Sequence, residues 1–298
     1  MNRTIKKLGI ITGVILIGST FVFSTSTGTN TQSVDIKNHI YLPNTINFAG
    51  EKTPLHIVDV RERLDREMII NINLHASTII SLKRAHRYFP IIEPILKKNG
   101  IPDDFKYLAV IESTLSNATS SAGARGFWQF MDGTAKDFNM EVNEYVDERY
   151  NLEIATQKAC EYFLKAKQRF GSWTLAAASY NRGMAGVTKQ LELQMVDNYY
   201  DLFIAEETSR YVFRILALKE IMSNTEKYGF VLPENTLYQP IKTKTIAVNY
   251  NIDNLYQFSK DQGINYKILK LHNPWLRGTE LKVTEGKTYN IEIPTEGY

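Results

Sequence analysis

Residues 101–113, IPDDFKYLAVIES, decide the fold and single out one carboxylate. Four residues in this stretch have the i, i+3, i+4, i+7 spacing of one helical face: Phe105, Leu108, Ala109 and Glu112. A carboxylate on an apolar face is expected to be half-buried, and burial raises its pKa because it disfavours the charged form. The pattern therefore predicts that Glu112 is a general acid. The alternative is a Glu at a helix end whose stem packs while its carboxylate reaches water.

The segment after Glu112 is rich in small residues. Residues 113–138 read STLSNATSSAGARGFWQFMDGTAKDF, in which Ser, Asn, Gly and Ala predominate until Phe127 and Trp128. Such a segment lets a polymer approach the backbone closely beside the acid. Residues 173–187, WTLAAASYNRGMAGV, predict a helix of small residues, which is a candidate second wall of the same cleft.

Four short motifs together carry a family resemblance. In chain order they are Glu112-Ser113, Ala118 to Gln129, Ser179-Tyr180-Asn181-Arg182-Gly183, and Glu207 to Val212. On these motifs the chain resembles the family 1 lytic transglycosylases, which carry the soluble-lytic-transglycosylase domain, and it is most similar to their membrane-bound D-type branch. The segment from Tyr145 to Arg149 also matches, so the resemblance covers residues 65–230. One departure is Ser179, where the family usually has Ala.

The resemblance implies a mainly α protein with a lysozyme-like catalytic domain that cleaves peptidoglycan. In this family the Glu at the position of Glu112 protonates the glycosidic oxygen between N-acetylmuramic acid and N-acetylglucosamine. It then takes the proton of the muramoyl C6 hydroxyl, which attacks the anomeric carbon and leaves a 1,6-anhydro end. A single carboxylate suffices, since Glu207 belongs to a distant helix and Asp147-Glu148-Arg149 is interpreted as a structural ion-pair cluster.

Motif position assigns further residues to the substrate. The predicted substrate-binding residues are Ser113, Ser120, Gln129, Met131, Tyr180, Asn181 and Tyr211. Of these, Gln129 and Asn181 are expected to bind sugar amides or hydroxyls. Two alternatives stay open: Ser113 as only a helix-end hydroxyl, and Phe127 and Trp128 as core residues under the loop. The resemblance implies no cofactor.

Two other classes of protein remain open. A goose-type lysozyme would share the fold and Glu112 but would hydrolyse the bond and release a reducing end. A non-catalytic wall protein would bind peptidoglycan without an acid, and the presence of Glu112 beside Ser113 argues against it. The products of the reaction separate the first alternative from a transglycosylase.

The N-terminus has the pattern of an export signal. Residues 8–23, LGIITGVILIGSTFVF, are uncharged and apolar, and they follow three cations: Arg3, Lys6 and Lys7. This predicts that residues 1–27 are a secretory signal peptide, and an uncleaved membrane anchor is the alternative. We therefore expect an exported protein of the periplasm or cell envelope, either free or associated with the membrane through this segment.

Composition excludes several other classes. Three of the 35 Lys and Arg residues lie in the N-terminal segment, and the rest balance the 32 Asp and Glu residues. A basic nucleic-acid binder is therefore disfavoured. The single Cys160 cannot form an intrachain disulfide, and the five His residues lack the spacing of a ligand pair, so no metal site is predicted.

The pattern divides the rest of the chain. Residues 28–61 lack sustained periodicity and are predicted to be a linker or a loosely attached segment. Residues 62–232 have helical periodicity and are predicted to form the catalytic domain. Their first helical run is expected to break at Pro90 and to end with Gly100 as its C-terminal cap.

Periodicity changes near Pro233 and Pro240. Residues 240–298 contain two alternating runs that flank two short helix-like runs, which predicts a small α+β unit of strand, helix, helix and strand. The arrangement resembles a degenerate LysM module, a peptidoglycan-binding fold, with Asn273 near the place where that family has Asn. The usual Gly-Asp-Thr-Leu opening is replaced by residues 251–255, NIDNL. A small packing domain without affinity for carbohydrate is an equal alternative, and the hypothesis to be tested is that residues 240–298 form a separable peptidoglycan-binding module.

Overall fold

The computed structural model describes residues 41–297, which belong to one compact unit. The segment 1–27, predicted to be a signal or anchor, lies outside the described residues, as does the start of the predicted linker. Within the described range no helix is both long and apolar enough to span a bilayer. A helical part is followed by a small strand-helix-helix-strand unit, which confirms the predicted fold class.

The helical part is built around one central helix. It opens with a hairpin of two short strands, β1 (Asn47–Phe48) and β2 (Glu51–Lys52). Its helices are α1 (Val58–Asn73), α2 (His75–Lys98), α3 (Lys106–Ser113), α4 (Asp132–Asp137), α5 (Leu152–Phe170), α6 (Trp173–Arg182), α7 (Met184–Gln194) and α8 (Glu206–Ser223). Helices α1, α3 and α6 all pack against α8, so α8 forms the middle of the core.

Helix α2 runs through two prolines, so the break predicted at Pro90 is wrong. The chain breaks earlier, at Leu74, between α1 and α2. A proline inside a helix costs about 3 kcal/mol. Ile92 and Leu96 on the same helix are buried in the main core, and such burial contributes about 1.5–3 kcal/mol for each side chain, which offsets that cost. Gly100 follows the helix with φ +69°, and its predicted role as the C-terminal cap is confirmed.

The β1–β2 hairpin is fastened to the helical part, although composition predicts a loosely attached segment there. Phe48 is fully buried in the main core. The Glu51 carboxylate accepts hydrogen bonds from the Ser172 hydroxyl, the Trp173 and Thr174 N–H groups and the Thr174 hydroxyl, at 2.6 to 2.9 Å. A carboxylate there satisfies free N–H groups at the start of α6 and interacts favourably with the helix dipole. Burial raises the pKa of Glu51, but these hydrogen bonds outweigh it and hold the pKa below its usual value.

The small unit consists of β3 (Thr243–Val248), α9 (Leu255–Asp261), α10 (Tyr266–His272) and β4 (Tyr289–Pro294). The two strands pair antiparallel, with Ile246 opposite Ile291. Alternate residues of β4 are buried, because successive side chains of a strand point to opposite faces. The alternation read from the sequence is thus confirmed in β4. In β3 only Ile246 and Val248 follow it, because the strand ends at Val248 and Tyr250 beyond it is 55% exposed.

Asn273 holds the small unit together from the inside. It is fully buried, and its amide nitrogen donates to the Leu269 carbonyl at 3.0 Å and to the Glu292 carbonyl at 2.7 Å. Its amide oxygen accepts from the Glu292 N–H at 2.8 Å. One side chain therefore clamps α10 to β4, which is a structural reason for an Asn at this position.

A second hydrophobic cluster joins the small unit to the helical part. Val146 and Tyr150, which precede α5, are buried among side chains of the small unit. Val146 lies opposite Leu276 in an antiparallel bridge. On either side of this bridge, residues 145–147 and 275–277 exchange two backbone hydrogen bonds, of 2.7 and 2.9 Å. The small unit is thus joined to the rest by a short ladder and an apolar contact as well as by the connecting chain.

Candidate active site

Glu112 lies in the last turn of α3, immediately before Ser113. The helix ends because Thr114 and Leu115 both adopt left-handed conformations, with φ +53° and +51°. For residues with a Cβ this conformation costs about 1–2 kcal/mol each. The complete burial of Leu115 in the core holds the turn in place. This strained turn leads the chain straight from Glu112 into the Gly-rich segment.

One face of α8 is directed at the Glu112 carboxylate. Tyr211 is buried, and its hydroxyl donates to Glu112 Oε1 at 2.5 Å. Glu207 lies one turn before Tyr211 and Arg214 one turn after it, so the three share one helical face. The charges of Glu207 and Arg214 both act on Glu112.

The surroundings of Glu112 raise its pKa above that of an ordinary Glu. Burial is the largest influence and raises the pKa. The hydrogen bond from Tyr211 and the charge of Arg214 lower it, while the negative charge of Glu207 raises it further. A carboxylic acid that stays protonated closer to neutral pH can deliver a proton to a leaving group.

The Gly-rich segment folds into a small hairpin, residues 118–130, beside the end of α3. Within this hairpin Arg125 pairs with Thr119 and with Phe130. Gly126 has φ +80°, and a Cβ at this position would overlap the Arg149 carbonyl oxygen. The hairpin can therefore approach the segment before α5 only because Gly126 has no side chain.

A buried ion pair lies next to this hairpin. Arg149 donates to both carboxylate oxygens of Asp147 at 2.8 Å, and the side chains are 3% and 2% exposed. Arg125 of the hairpin adds a contact of 3.1 Å to the same carboxylate. The interpretation of these residues as a structural ion-pair cluster is confirmed.

Tyr180, near the end of α6, connects the second wall to the hairpin. Its hydroxyl donates to the Trp128 carbonyl at 2.7 Å. Burial raises the pKa of Tyr180 well above its usual value, and the nearby charge of Glu112 adds to this effect. The phenol therefore stays neutral and cannot replace Glu112 as the titrating group.

Asn181 is oriented by two residues of α8. Its amide nitrogen donates to Glu207 Oε1 at 3.0 Å, and its amide oxygen accepts from the Thr208 hydroxyl at 2.7 Å. Glu207 is exposed, so this group lies where the site meets solvent. The two helices α6 and α8 thus present one connected polar group beside Glu112.

Ser113 and Ser120 use their hydroxyl groups to shape the hairpin. Ser113 is buried, and its hydroxyl bonds to the Ala109 carbonyl at 3.1 Å and to the Phe127 carbonyl at 2.9 Å. Ser120 Oγ accepts from the Ala124 N–H at 3.0 Å. These contacts fit the helix-end alternative for Ser113, and a glycan contact of either serine stays a prediction.

Gln129 and Met131 lie at the far end of the hairpin. Gln129 has φ +50°, and its amide nitrogen donates to the carbonyls of Ala118 and Gly126 at 3.1 and 2.8 Å. Within residues 41–297 only its amide nitrogen is hydrogen-bonded, so its amide oxygen is available to accept a hydrogen bond. Met131 is 44% exposed. Contact of either side chain with substrate stays a prediction.

Phe127 and Trp128 are core residues, which confirms the alternative reading for this aromatic pair. They are 3% and 0% exposed. Trp128 Nε1 donates to the Thr156 hydroxyl at 2.8 Å, and the Phe127 ring meets the Tyr88 ring edge-on. Both aromatic side chains therefore anchor the hairpin in the core.

Sequence reasoning missed the roles of Glu207 and Arg214. The sequence places Glu207 on a distant helix, but in the structure that helix, α8, brings its charge within reach of Glu112. The signal that would have found both residues is their helical spacing from Tyr211.

Among residues 41–297 no group of three His, Cys, Asp or Glu side chains is arranged to hold a metal ion. A cavity of about 590 Å³ lies elsewhere, between α2 and residues 222–240.

Two family models match the chain. The transglycosylase SLT domain matches residues 89–203, and the soluble lytic transglycosylase C-terminal LysM-like domain matches residues 244–297. The first match contains Glu112 and all of α6, whereas Tyr211 lies beyond it. The chain therefore carries an SLT domain followed by a LysM-like domain, and the resemblance read from its motifs is confirmed.

Two of three curated relatives match a longer part of the chain than either family model does. The membrane-bound lytic murein transglycosylase D of Escherichia coli strain K12 is 26% identical over 243 residues, which is 78% of this chain and 52% of the relative. The protein of the same name from Escherichia coli O6:H1 gives the same values. A protein of Alteromonas sp. strain M-1, named for tributyltin chloride resistance, is 28% identical over 110 residues, 36% of this chain and 53% of its own. The chain spans about half the length of the curated relatives it matches.

Proposed function

We propose that this protein is a lytic transglycosylase that cleaves the bond between N-acetylmuramic acid and N-acetylglucosamine in peptidoglycan and leaves 1,6-anhydromuramoyl ends. One observation carries the proposal: Glu112 is a half-buried carboxyl with a raised pKa inside an SLT domain. A single acid with these properties fits a reaction in which one group first gives and then recovers a proton.

The first step breaks the glycosidic bond. Protonated Glu112 transfers its proton to the glycosidic oxygen, the bond from the anomeric carbon to that oxygen breaks, and the electron pair stays on the departing N-acetylglucosamine oxygen. The Tyr211 hydroxyl occupies Glu112 Oε1, which leaves Oε2 for this transfer. Tyr211 also stabilises the carboxylate that forms, because a hydrogen bond to a charged acceptor is stronger than one to a neutral acceptor.

The second step closes the anhydro ring. The positive charge at the muramoyl anomeric carbon is stabilised by the N-acetyl group of the same sugar. The C6 hydroxyl oxygen of that sugar then forms a bond to the anomeric carbon, and its proton passes to the Glu112 carboxylate. Glu112 is again protonated, no water is consumed, and the two products separate.

Residues around Glu112 supply binding and orientation. The free amide oxygen of Gln129 accepts a hydrogen bond from a sugar amide or hydroxyl. Asn181, oriented by Thr208 and Glu207, is placed to contact the glycan at the solvent side. Tyr180 keeps the hairpin and α6 at a constant separation through its bond to the Trp128 carbonyl.

The LysM-like domain is proposed to contact the glycan at a second place. A cavity of about 510 Å³ is lined by Asn249, Tyr250, Asn251, Val283, Glu285, Gly286, Lys287 and Thr288. Polar groups around an aromatic ring that is 55% exposed suit a sugar, which offers hydroxyl groups and an apolar face. If Tyr250→Ala binds insoluble peptidoglycan as well as the wild type does, the alternative of a packing domain is favoured.

The proposed site of action is the cell envelope, where the enzyme would open glycan strands during remodelling of the wall. Support comes from the two Escherichia coli relatives, which are both named membrane-bound lytic murein transglycosylase D. The apolar run at residues 8–23 is the feature that would export the chain or anchor it.

The goose-type hydrolase remains the second candidate, because one observation favours it. Glu207 lies near enough to raise the pKa of Glu112. Most glycoside hydrolases use a pair of carboxylates. In that case Glu207 would activate a water molecule. The Asn181 amide, however, already holds one oxygen of Glu207 at 3.0 Å.

The test is mass spectrometry of muropeptides released from purified peptidoglycan. We expect the wild-type protein to release 1,6-anhydro ends. The rate of Glu112→Gln should fall by about 10²–10⁴-fold while the protein stays folded. Glu206→Gln is the matched control. Glu206 is an exposed acid in the first turn of α8, and it pairs with Arg66. Reducing ends in place of anhydro ends would establish the hydrolase, and turnover by Glu112→Gln would place the chemistry on another residue.

A further inference from the structure

The segment of residues 141–150 lies between the LysM-like domain and the hairpin of residues 118–130. On the LysM-like side, the Glu141 carboxylate accepts from the Thr284 and Tyr289 hydroxyls at 2.7 and 2.8 Å and from Lys287 at 2.6 Å. The ladder between residues 145–147 and 275–277 adds two backbone hydrogen bonds. The segment is therefore held on this side by both side chains and backbone.

On its other side, the same segment contacts the hairpin of residues 118–130. The Tyr150 hydroxyl and the Thr119 hydroxyl are 2.8 Å apart. Asp147, whose N–H group belongs to the ladder, pairs with Arg125 at 3.1 Å. The third contact is the close approach of Gly126 to the Arg149 carbonyl.

Tyr150 belongs to both sets of contacts. Its ring is 6% exposed within the cluster shared with the LysM-like domain, and the Arg277 guanidinium lies over it, 4.4 Å from the ring centroid. Its hydroxyl reaches Thr119 of the hairpin. Packed side chains and hydrogen bonds transmit displacement because they have few alternative arrangements.

We propose that the LysM-like domain is a positioning element of the cleft: through residues 141–150 it fixes the hairpin 118–130, so that turnover, and not only retention on the wall, depends on its docking. Tyr150 and Thr119 are positioning residues in this scheme. The inference rests on the proposed transglycosylase function. A domain that only tethers the enzyme would raise local substrate concentration and leave the reaction of soluble fragments unchanged.

Lys287 lies at the proposed glycan cavity and also contacts the segment of residues 141–150. Lys287 lines the 510 Å³ cavity, and it also pairs with Glu141 at 2.6 Å and with Glu148 at 3.6 Å. A sugar in the cavity would therefore lie against the same lysine that fastens the LysM-like domain to the segment. Occupation of the cavity and stiffness of the hairpin are linked through this group.

The experiment is a double-mutant cycle on full-length protein with soluble peptidoglycan fragments as substrate. Thr119→Val and Tyr150→Phe each remove one hydroxyl of the 2.8 Å contact, and Thr119→Ser restores it. We expect either variant to lower kcat by about three- to tenfold, with KM nearly unchanged, since one hydrogen bond has about this effect on a rate. The double variant should be no worse than the single ones, because both lose the same contact.

A second pair of variants tests the LysM-like side at a distance from the cleft. Tyr289→Phe removes a hydroxyl that bonds Glu141, and Tyr256→Phe is the matched control on the exposed side of the same domain. We expect amide hydrogen exchange of residues 118–130 to become faster in Tyr289→Phe and to stay as in the wild type in Tyr256→Phe. This readout does not depend on turnover.

The outcomes separate this inference from the proposed function. Wild-type protein without anhydro products would overturn the proposed function, while the exchange measurement would still decide whether the hairpin is fixed by the LysM-like domain. Active wild type together with unchanged kcat in Thr119→Val, or unchanged exchange in Tyr289→Phe, would overturn the positioning role. A lower melting temperature with unchanged kcat would show that the contact is only structural.

Discussion

Glu112 titrates under the influence of three side chains on one face of α8. In the proposed reaction Glu112 must start protonated, so activity is expected to fall as pH rises through its pKa. Glu207 raises that pKa and Arg214 lowers it. The two residues therefore offer opposite tests of the same group.

We expect Glu207→Gln to move the basic limb of the pH profile to lower pH, because it removes a negative charge that disfavours ionisation of Glu112. Arg214→Gln should move the same limb to higher pH, because it removes a positive charge that favours ionisation. The measurement is kcat/KM against pH for both variants and the wild type. Shifts of the same sign in both variants would contradict the assignment of the limb to Glu112.

Gly126 is the residue whose lack of a side chain sets the shape of the hairpin. Gly126→Ala is expected to destabilise the protein by more than about 2 kcal/mol, because its Cβ would overlap the Arg149 carbonyl. Gly123→Ala is the control: Gly123 also has positive φ, +87°, but open space around it, so only about 1–2 kcal/mol is expected. Equal losses in denaturant unfolding would show that steric contact plays no part.

At the scale of single elements, α6 depends on a carboxylate from another part of the chain. Glu51→Gln removes the charge that accepts hydrogen bonds at the start of α6, and we expect a loss of about 1–2 kcal/mol at neutral pH. The pKa of Glu51 is lowered on folding, so its stabilisation is present above the unfolded pKa and is lost as pH falls through the folded one.

The measurement is the unfolding free energy of Glu51→Gln and wild type as a function of pH. The two should converge in acid. Glu153→Gln is the control, because Glu153 lies in the first turn of α5 and is exposed there. A difference between wild type and Glu51→Gln that persists unchanged at low pH would mean that the charge contributes nothing.

At the scale of the whole molecule, the helical part and the LysM-like domain are expected to unfold together. They share the cluster around Val146 and Tyr150 and the ladder at residues 145–147. Leu281→Ala, at a fully buried position of the LysM-like domain, should cost about 2–5 kcal/mol and lower the single melting transition of the entire chain. Leu271→Ala, at a position 63% exposed, should have little effect.

Differential scanning calorimetry checks this prediction. One heat-absorption peak that moves as a whole in Leu281→Ala is the expected result. A separate low-temperature peak would mean that the LysM-like domain is an independent module, which is how the change of periodicity near Pro240 was interpreted from sequence.

Sequence reasoning succeeded where the evidence lies within one element. The apolar face that carries Glu112, the Gly100 cap and the alternation of β4 are all local patterns, and each is present in the structure. Reasoning failed at Pro90, because the local cost of a proline was offset by burial of Ile92 and Leu96, which the local pattern does not weigh.

The sequence by itself determined the order of the motifs and the mainly helical fold, because spacing along the chain defines both of them. It also singled out Glu112 as the candidate acid, through its place on an apolar face and in the first motif. Only the tertiary structure decided which side chains shift the pKa of Glu112 and which contacts hold the hairpin of residues 118–130. Tyr211 meets Glu112 across 99 residues of chain, and the Glu51 carboxylate reaches α6 across more than a hundred. Such partners are selected by the packing of whole elements against one another, and no periodicity within a single element encodes that packing.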